Sequence, residues 1–505
     1  LVGVSSGLTR DVVIKGVFDR TQPSLSVPVE QIVVDGKQLL VVTVPRGATF
    51  YANAKGTATR RLGTECVPFP PDQQRQALAA RGLHDWSAQP SGHDISEADP
   101  NEMRRLRRLL TASGKDDLAR TADDRRLLRD LRLCDADGEL YRAGLLLVGD
   151  EDVIRSAIPT YEYSYQFRQS PGSEATSRFR GCSPLLSSLE RLLSAVETRR
   201  SVHPINVTGG VQLQVYDYPT NAVRELVVNA LVHRDYETDG AVSVEQSPES
   251  LTVSSPGGLV FGVTPNNILT HPSTPRNRLL LEAVTALQVA ERTGQGVDRV
   301  YRELLRVGKP PPRYTDTESA VRVFIEGGTG DDAFVRYVNN DLDAEAAGDV
   351  DVLLALAHLR ERRSINAQTL AARIQRSPAE AQIVLDRMAH QKLVEPSRRT
   401  ARKPFPSYGL RPKVLAALGR AVRYHQRKPG AGEEKVVEHI REYGHITNQT
   451  LRRLFDLDVY AARDLLRDLQ QRDVLIKLDK QARGPGVRYG PGPSFPTRPG
   501  RRARQ

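Results

Sequence analysis

The 505 residues predict an α+β protein of several domains. Three observations carry the prediction. Stretches rich in β-branched residues alternate with helical stretches through the first 330 or so positions, one largely apolar helix near position 225 carries a polar stripe, and the last third repeats one helix-rich pattern twice. A chain of this length makes roughly three or four domains, and 39% hydrophobic residues supply their cores. A mean hydropathy of −0.43, with no apolar run near about twenty residues, excludes a helical membrane span. Cys66, Cys134 and Cys182 are far apart and fit no metal spacing, so all three read as structural thiols in a reduced, cytoplasmic setting.

From the N terminus, residues 1–4 read as a strand, and residues 29–47 as a hairpin turning at Asp35-Gly36. Val33, Leu39, Val41, Val42 and Val44 suit a buried sheet. Residues 51–68 make a second hairpin-like pair, and residues 70–82 start as a helix would. Residues 85–100 are polar with Gly and Pro, a linker by composition. Two stretches, 102–110 and 125–134, set Leu at helical spacing opposite Arg. The apolar run 145–148, bounded by glycines, reads as a buried strand. Tyr and Phe alternate with polar residues over 161–169, a strand packed through an aromatic row. A helix over 185–200 and a strand over 211–219 follow.

After Pro219, residues 221–236 form the helix on which the functional reading turns. Glu225, Asn229 and His233 fall one turn apart on a single stripe. Val223, Leu226, Val227, Val228, Ala230, Leu231 and Val232 wall that stripe in. A carboxylate and an amide buried without partners cost several kcal/mol, so the stripe must face something polar. A bound cation with phosphate would serve; so would an arginine paired with Glu225 and a loop capped by Asn229. Strand-like runs at 241–245 and 251–253 lead to Gly257 and Gly258, and Gly294 and Gly296 stand at the mouth of a predicted helix. Glycines there let backbone N–H groups and the positive helix end approach a phosphate.

In order and spacing these features resemble the GHKL-type nucleotide site of gyrase, heat-shock chaperone, histidine kinase and mismatch-repair ATPases. More closely, YPTNAVRELVVNALVHRDY, SPGGLVFGVTPNNI, STPRNRLLLEA and ERTGQGVDRV, within residues 218–314, resemble the ATPase-like domain at the C-terminal end of RecG-like and Schlafen-type transcriptional regulators. That resemblance implies a GHKL-type α/β sandwich over 141–330 that binds ATP and Mg2+. Asn229 would ligate the magnesium, Glu225 would orient or deprotonate the attacking water, and His233, Gly257, Gly258, Gly294 and Gly296 would line the nucleotide. Where the wider superfamily has an aspartate before its first glycine turn, this chain has Ser254, Ser255 and Pro256, which leaves hydrolysis and mere sensing both open. No GxxxxGK[ST] loop occurs, so a helicase motor is not expected. Residues 1–82, through DGKQLLVVTVP and TRRLGTECVP, resemble the second half of a Schlafen-type AlbA-like domain. The first half would precede Leu1, and no nuclease role is assigned. A helical connector spans 83–140.

An acidic linker (331–348) leads to two similar units, 349–412 and 432–490, joined by a basic linker (413–431). Each reads helix, turn, helix, break, third helix, strand, basic loop, aromatic strand, the order of a winged helix. The third helices, 377–391 and 459–472, turn Leu385 and Met388, and Ala462, Leu465, Leu466 and Leu469, inward. That leaves a polar face for a major groove, although winged helices also dock proteins. Arg398, Arg399, Arg402 and Lys403 fill the first wing, and Lys477, Lys480, Arg483 and Arg488 surround the second, as contact with DNA phosphates demands. The tail 491–505 is Pro- and Arg-rich and expected to be disordered. A net charge of +11 fits a nucleic-acid partner. The expectation is an ATP-binding regulator of transcription that binds double-stranded DNA at the nucleoid. An ATPase or nucleic-acid-processing defence enzyme delivered by the winged helices is the alternative, a protein-docking scaffold the third reading, and a homodimer is left open.

Overall fold

Alternating aromatic and aliphatic residues build the central element, a six-stranded mixed sheet, in the computed structural model. Its description covers residues 3–4, 7–34, 36–44, 50–62, 65–80, 84–121, 123–170, 172–206, 212–260, 262–290, 295–317, 319–397, 400–402, 405–422, 432–455, 457, 459–479 and 486–496. The strands are β1 (Glu162–Arg168), β2 (Ala175–Gly181), β3 (Ala241–Gln246), β4 (Ser250–Pro256), β5 (Arg313–Asp316) and β6 (Ala320–Glu326). Their order is β2-β1-β3-β4-β6-β5. β1 and β3 are parallel, with Val242 opposite Tyr163 and Val244 opposite Tyr165, and the remaining pairs are antiparallel. A parallel pair needs a long crossover. Here it contains helix α1 (Leu185–Arg199), a hairpin of Val202–Asn206 with Gln212–Tyr216, and helix α2 (Thr220–Val232). Leu189 and Leu192 of α1, Val223 and Val227 of α2, and Val244, Leu251, Val253 and Ile325 of the sheet share one hydrophobic core.

That core reaches further back along the chain than composition suggested. Residues 85–100 are packed in rather than a free linker: Trp86 is buried and stacks on Tyr236 with ring centroids 4.6 Å apart. Asp85 Oδ2 accepts the N–H of Leu279 (2.8 Å) and Ser87 Oγ that of Leu280 (3.1 Å), so this segment caps the first turn of helix α3 (Arg278–Ala286). The run expected as a buried strand at 145–148 is helical instead, within Arg142–Val148, and buried from Ala143 to Val148. An unbroken apolar run has no period, so strand and buried helix look alike in sequence. The amphipathic helices Pro100–Ala112 and Asp124–Asp130 bury Met103, Leu106, Leu110, Leu127 and Leu128.

At the N terminus Val29–Val34 pairs with Lys37–Val42 around the expected turn, although Asp35 lies outside the described residues. The burial expected there is absent. Val33 and Val44 are 66% and 68% exposed, Val41 and Val42 are exposed as well, Leu39 is half-buried, and the small core is Leu25, Val27 and Val29. Among the described residues no layer covers the outer face of this hairpin. Of the strand expected at 1–4, Leu1 and Val2 lie outside the described residues, and Val4 donates its N–H to Gln38 (2.9 Å) without entering a strand.

The acidic linker is also structured. Asp332–Asn340 and Ala344–Gly348 are helices, Asp331 and Asp343 cap them, and Phe334, Val335, Tyr337 and Val338 are buried. Acidic residues there start helices. In the basic linker Pro412–Leu418 is a helix that buries Leu415 and Leu418, and 423–431 lies outside the described residues. The first C-terminal unit has helices Val350–Glu361, Ala367–Ile374 and Pro378–His390, then an antiparallel pair, Val394–Pro396 with Tyr408–Leu410. The second has helices Gly432–Tyr443, Asn448–Phe455 and Val459–Gln471, with strands Ile446–Thr447, Leu475–Lys477 and Arg488–Pro491. Leu385, Met388, Ala462, Leu466 and Leu469 are buried and Leu465 half-buried. Residues 497–505 of the tail lie outside the described residues.

Candidate functional site

Helix α2 is buried on nearly every side, so what its polar stripe faces decides what the protein can do. Glu225, Asn229 and His233, which caps the C-terminal end of the helix, line a cavity of about 190 Å³. Ser255, Gly257 and Gly258 at the end of β4 form a second wall. Gly296 and Val297, in the first turn of helix α4 (Gln295–Arg306), form a third, and the loop from Leu259 to Thr274 closes the fourth. The inner surface is apolar, from Leu226, Val253, Val321 and Val323. Among the described residues no lysine or arginine lines it; Gly294 and its neighbours 291–293 lie outside them.

Glu225 is buried, and Arg299 on α4 donates Nη1–H to its Oε1 at 2.6 Å. The arginine partner considered from the sequence is thus present, and the carboxylate still borders the cavity. Gly296 explains how. A Cβ at that position would sit 2.7 Å from Glu225 Oε2 and 3.6 Å from Asn229 Nδ2, so the first turn of α4 reaches the polar stripe because it carries no side chain there. His233 is pushed down to about 4, by burial first and the nearby Arg276 guanidinium second. At neutral pH it is an uncharged imidazole with one donor and one acceptor nitrogen.

The glycine turn is fixed by a buried ion pair. Gly257 has φ +86°, and a Cβ there would lie 2.4 Å from Asp235 Cβ. Asp235 Oδ2 accepts from Arg276 Nη1 (2.7 Å), while Arg276 Nη2 donates to the carbonyl of Gly258 (2.6 Å). The N–H of Gly257 donates to Ser319 (2.8 Å), and that of Leu259 to Asp316 Oδ2 (3.2 Å). Where the resemblance looks for an aspartate, Ser255 Oγ donates to the carbonyl of Ala230 on α2 (2.7 Å). Among the described residues no three His, Cys, Asp or Glu side chains converge on a metal-sized site.

Several of these residues escaped the sequence reading. Arg299 lies 74 positions from Glu225, and no spacing rule joins them. Asp235 and Arg276 lie within the quoted motifs, but nothing in their spacing pairs them with each other or assigns them a role. Val260, Val263 and Ile268 fall within a quoted motif without a role being read for them, and His271 lies beyond it.

The expected DNA contacts are less completely described. Arg398, Arg399, Lys403, Lys480 and Arg483 lie outside the described residues, whereas Arg402, Lys477 and Arg488 are exposed. Lys477 and Arg488 sit on the paired strands of the second unit. The two third helices differ in chemistry. The first exposes Ile383 (67%) between Glu380 and Asp386, and the second exposes Tyr460 (68%) with Arg463 and Arg467 alongside Asp464 and Asp468.

Residues 239–325 match the family described as "Putative ATP-dependent DNA helicase recG C-terminal". That stretch takes in β3 to β6, the glycine turn and α4, but begins after Glu225 and Asn229. Residues 75–164 match a domain family of unknown function. No curated protein matches the chain. Among solved structures, the DIP2311 protein from Corynebacterium diphtheriae is similar with a TM-score of 0.56 and 23% identity, over 84% of this chain and 82% of that one. The likeness is one of fold.

Proposed function

We propose that the protein is a nucleotide-responsive regulator: it binds ATP with Mg2+ in the cavity beside α2 and binds duplex DNA through its C-terminal units, read as winged helices. The observation that carries this is one cavity bordered at once by an amide, a neutral imidazole, a glycine turn and the N-terminal turn of a helix, the last two of which fall within a segment matching an ATP-dependent family. The donor set suits a phosphate–metal group. Backbone N–H groups at the start of α4 favour phosphate, and Asn229 offers an oxygen to a hard cation that otherwise keeps phosphate oxygens and water. With no cationic side chain on the described wall, the nucleotide's charge would be met by its own Mg2+ together with those backbone dipoles.

Calorimetry of ATP with Mg2+ tests the reading directly. Wild type should release heat and gain about 2.7 kcal/mol of stability at a hundredfold over Kd, and Asn229→Ala should weaken binding at least tenfold. No heat and no thermal shift for wild type would end the proposal. Sensing is favoured over turnover because Glu225 is held by Arg299. Phosphate release by wild type and not by Glu225→Ala would reverse that preference and favour the ATPase reading. For DNA, the acidic residues Glu380 and Asp386 beside exposed Ile383 on the third helix of the first unit, against Arg463 and Arg467 on that of the second, favour the second unit and the two wings as the phosphate-contacting parts. Anisotropy of labelled duplex should fall steeply with salt, and replacing Arg398, Arg399, Arg402 and Lys403, or Lys477, Lys480, Arg483 and Arg488, with Ala should weaken binding. Indifference to salt and to both sets would leave the units as protein-docking modules, a use that exposed Ile383 suits.

A further inference from the structure

Two walls of the cavity are shared with the first C-terminal unit. On α4, Gly296 and Val297 border the cavity, and Val297 also packs against that unit's core, which Tyr301 and Leu305 enter, whereas Val300 and Leu304 belong to the sheet's core. On the 259–274 loop, Ile268 lines the cavity while the next residue, Leu269, packs into the unit's core. The loop is therefore a thin partition, and Gln375 hydrogen-bonds to its far side. Gln375 Oε1 accepts the N–H of Leu269 (2.8 Å), its Nε2 donates to the carbonyl of Pro265 (2.9 Å), and its own carbonyl accepts from Thr270 Oγ1 (3.1 Å). Gln375 ends helix Ala367–Ile374 in a left-handed conformation (φ +57°) that glycine usually takes. A glutamine in that place forgoes the easy backbone choice and delivers a two-ended amide to the loop.

We propose that Gln375 is a positioning residue that couples the cavity to the first C-terminal unit: it sets the loop wall around the nucleotide, so that occupancy of the cavity and placement of the 350–410 unit are one linked equilibrium. This rests on the nucleotide reading above and adds the route by which occupancy reaches the C-terminal part. Linkage is reciprocal, so whatever holds the loop must also hold the helix 367–374 when ligand binds. Asn267, which accepts the N–H of Thr264 (2.6 Å) and donates to Gly262 (2.8 Å), keeps the loop's own turn intact when Gln375 is changed, so the latch is separable from the loop's fold.

The test is hydrogen–deuterium exchange of the full chain, wild type and Gln375→Gly, with and without ATP and Mg2+. Glycine suits φ +57° and removes both side-chain bonds, so the variant should fold; unchanged exchange in the β3–β4 strands verifies that. Without nucleotide, amides of 265–271 should exchange at least tenfold faster in the variant. With nucleotide, wild type should gain protection in both 259–274 and 367–376, and the variant in 259–274 alone. The inference is overturned if 265–271 exchanges equally in both proteins, or if nucleotide protects 367–376 equally in both. Protection of 259–274 without any at 367–376 in wild type refutes the coupling and leaves nucleotide binding standing, whereas no protection anywhere refutes both. A second variant, Gln375→Glu, keeps the acceptor for Leu269 and loses the donor to Pro265, and should fall between the two.

Discussion

Gly257→Ala probes the geometry of the glycine turn most sharply. A non-glycine residue in the left-handed region costs about 1–2 kcal/mol. The new methyl would also lie 2.4 Å from Asp235 Cβ, against roughly 3.5–4.0 Å for carbon atoms in contact, so Asp235 must retreat by about 1 Å or more. That retreat breaks its 2.7 Å bond to Arg276, whose side chain is 10% exposed. Removing the partner of a buried charge costs about 3–5 kcal/mol, and the 23% exposure of the Asp235 side chain places this case toward the low end. The two contributions together come to about 4 kcal/mol, a fall in Tm of roughly 8–16 °C for a cooperative unit of this size. Gly172→Ala is the internal control, since Gly172 has φ +85° and nothing within 4 Å of the added carbon; it should lose the backbone part alone. Equal losses in scanning calorimetry of the two variants would refute the argument that Gly257 is required by Asp235 and Arg276.

Arg299→Met should destabilise by about 2–3 kcal/mol by leaving the Glu225 carboxylate without its partner. Arg299→Met with Glu225→Gln should cost less than the sum of the single changes, which a double-mutant cycle by urea unfolding measures. Gly296→Ala should displace the Glu225 carboxylate, since the added carbon falls 2.7 Å from Oε2; weaker ATP binding at little change in Tm is the expected outcome in calorimetry. His233 gives a pH dependence. Its folded value of about 4 lies below the unfolded value near 6.5, so between those pH values the unfolded chain binds the extra proton. The stability this residue contributes is therefore complete above pH 6.5 and is lost as pH falls toward 4, by at most about 3 kcal/mol. His233→Asn should flatten that part of the profile, while His358 and His439, also pushed down by burial, keep acting in both proteins.

Periodicity proved legible wherever one face of an element meets one core. The aromatic row of β1 and the third helices at 378–390 and 459–471 lie where their spacing puts them, and helix α2 does so as far as Val232, ending short of the Tyr236 expected. Composition misled where burial comes from distant partners. Residues 85–100 look like a linker because their polar groups are those that cap α3 from 194 residues away, and the acidic stretch at 331–348 looks like one because its aspartates cap short helices over Phe334 and Tyr337. At the candidate site, the stripe of Glu225, Asn229 and His233 is readable because it is local. Arg299, the Asp235–Arg276 pair and Gln375 are not, since each acts on a segment it meets through tertiary folding alone.

On the proposed nucleotide reading, the pairing of Glu225 with Arg299 bears on what the cavity does. A general base must be within reach of a water and unengaged enough to take its proton, and a buried carboxylate whose Oε1 accepts from a guanidinium at 2.6 Å is engaged and fixed in direction. Its other oxygen faces Gly296, where a side chain is excluded. Turnover would require Glu225 to exchange an ion pair for a water at each cycle, at a cost comparable to separating a partly buried pair. Binding requires no such exchange: Asn229, the backbone of the glycine turn and the start of α4 border the cavity without disturbing the pair. The pair also links α2 to α4, the helix whose opposite face enters the core of the first C-terminal unit through Tyr301 and Leu305. On that reading the carboxylate whose spacing suggests catalysis serves as a brace between the cavity and that unit, which suits a site that reports nucleotide more than one that consumes it.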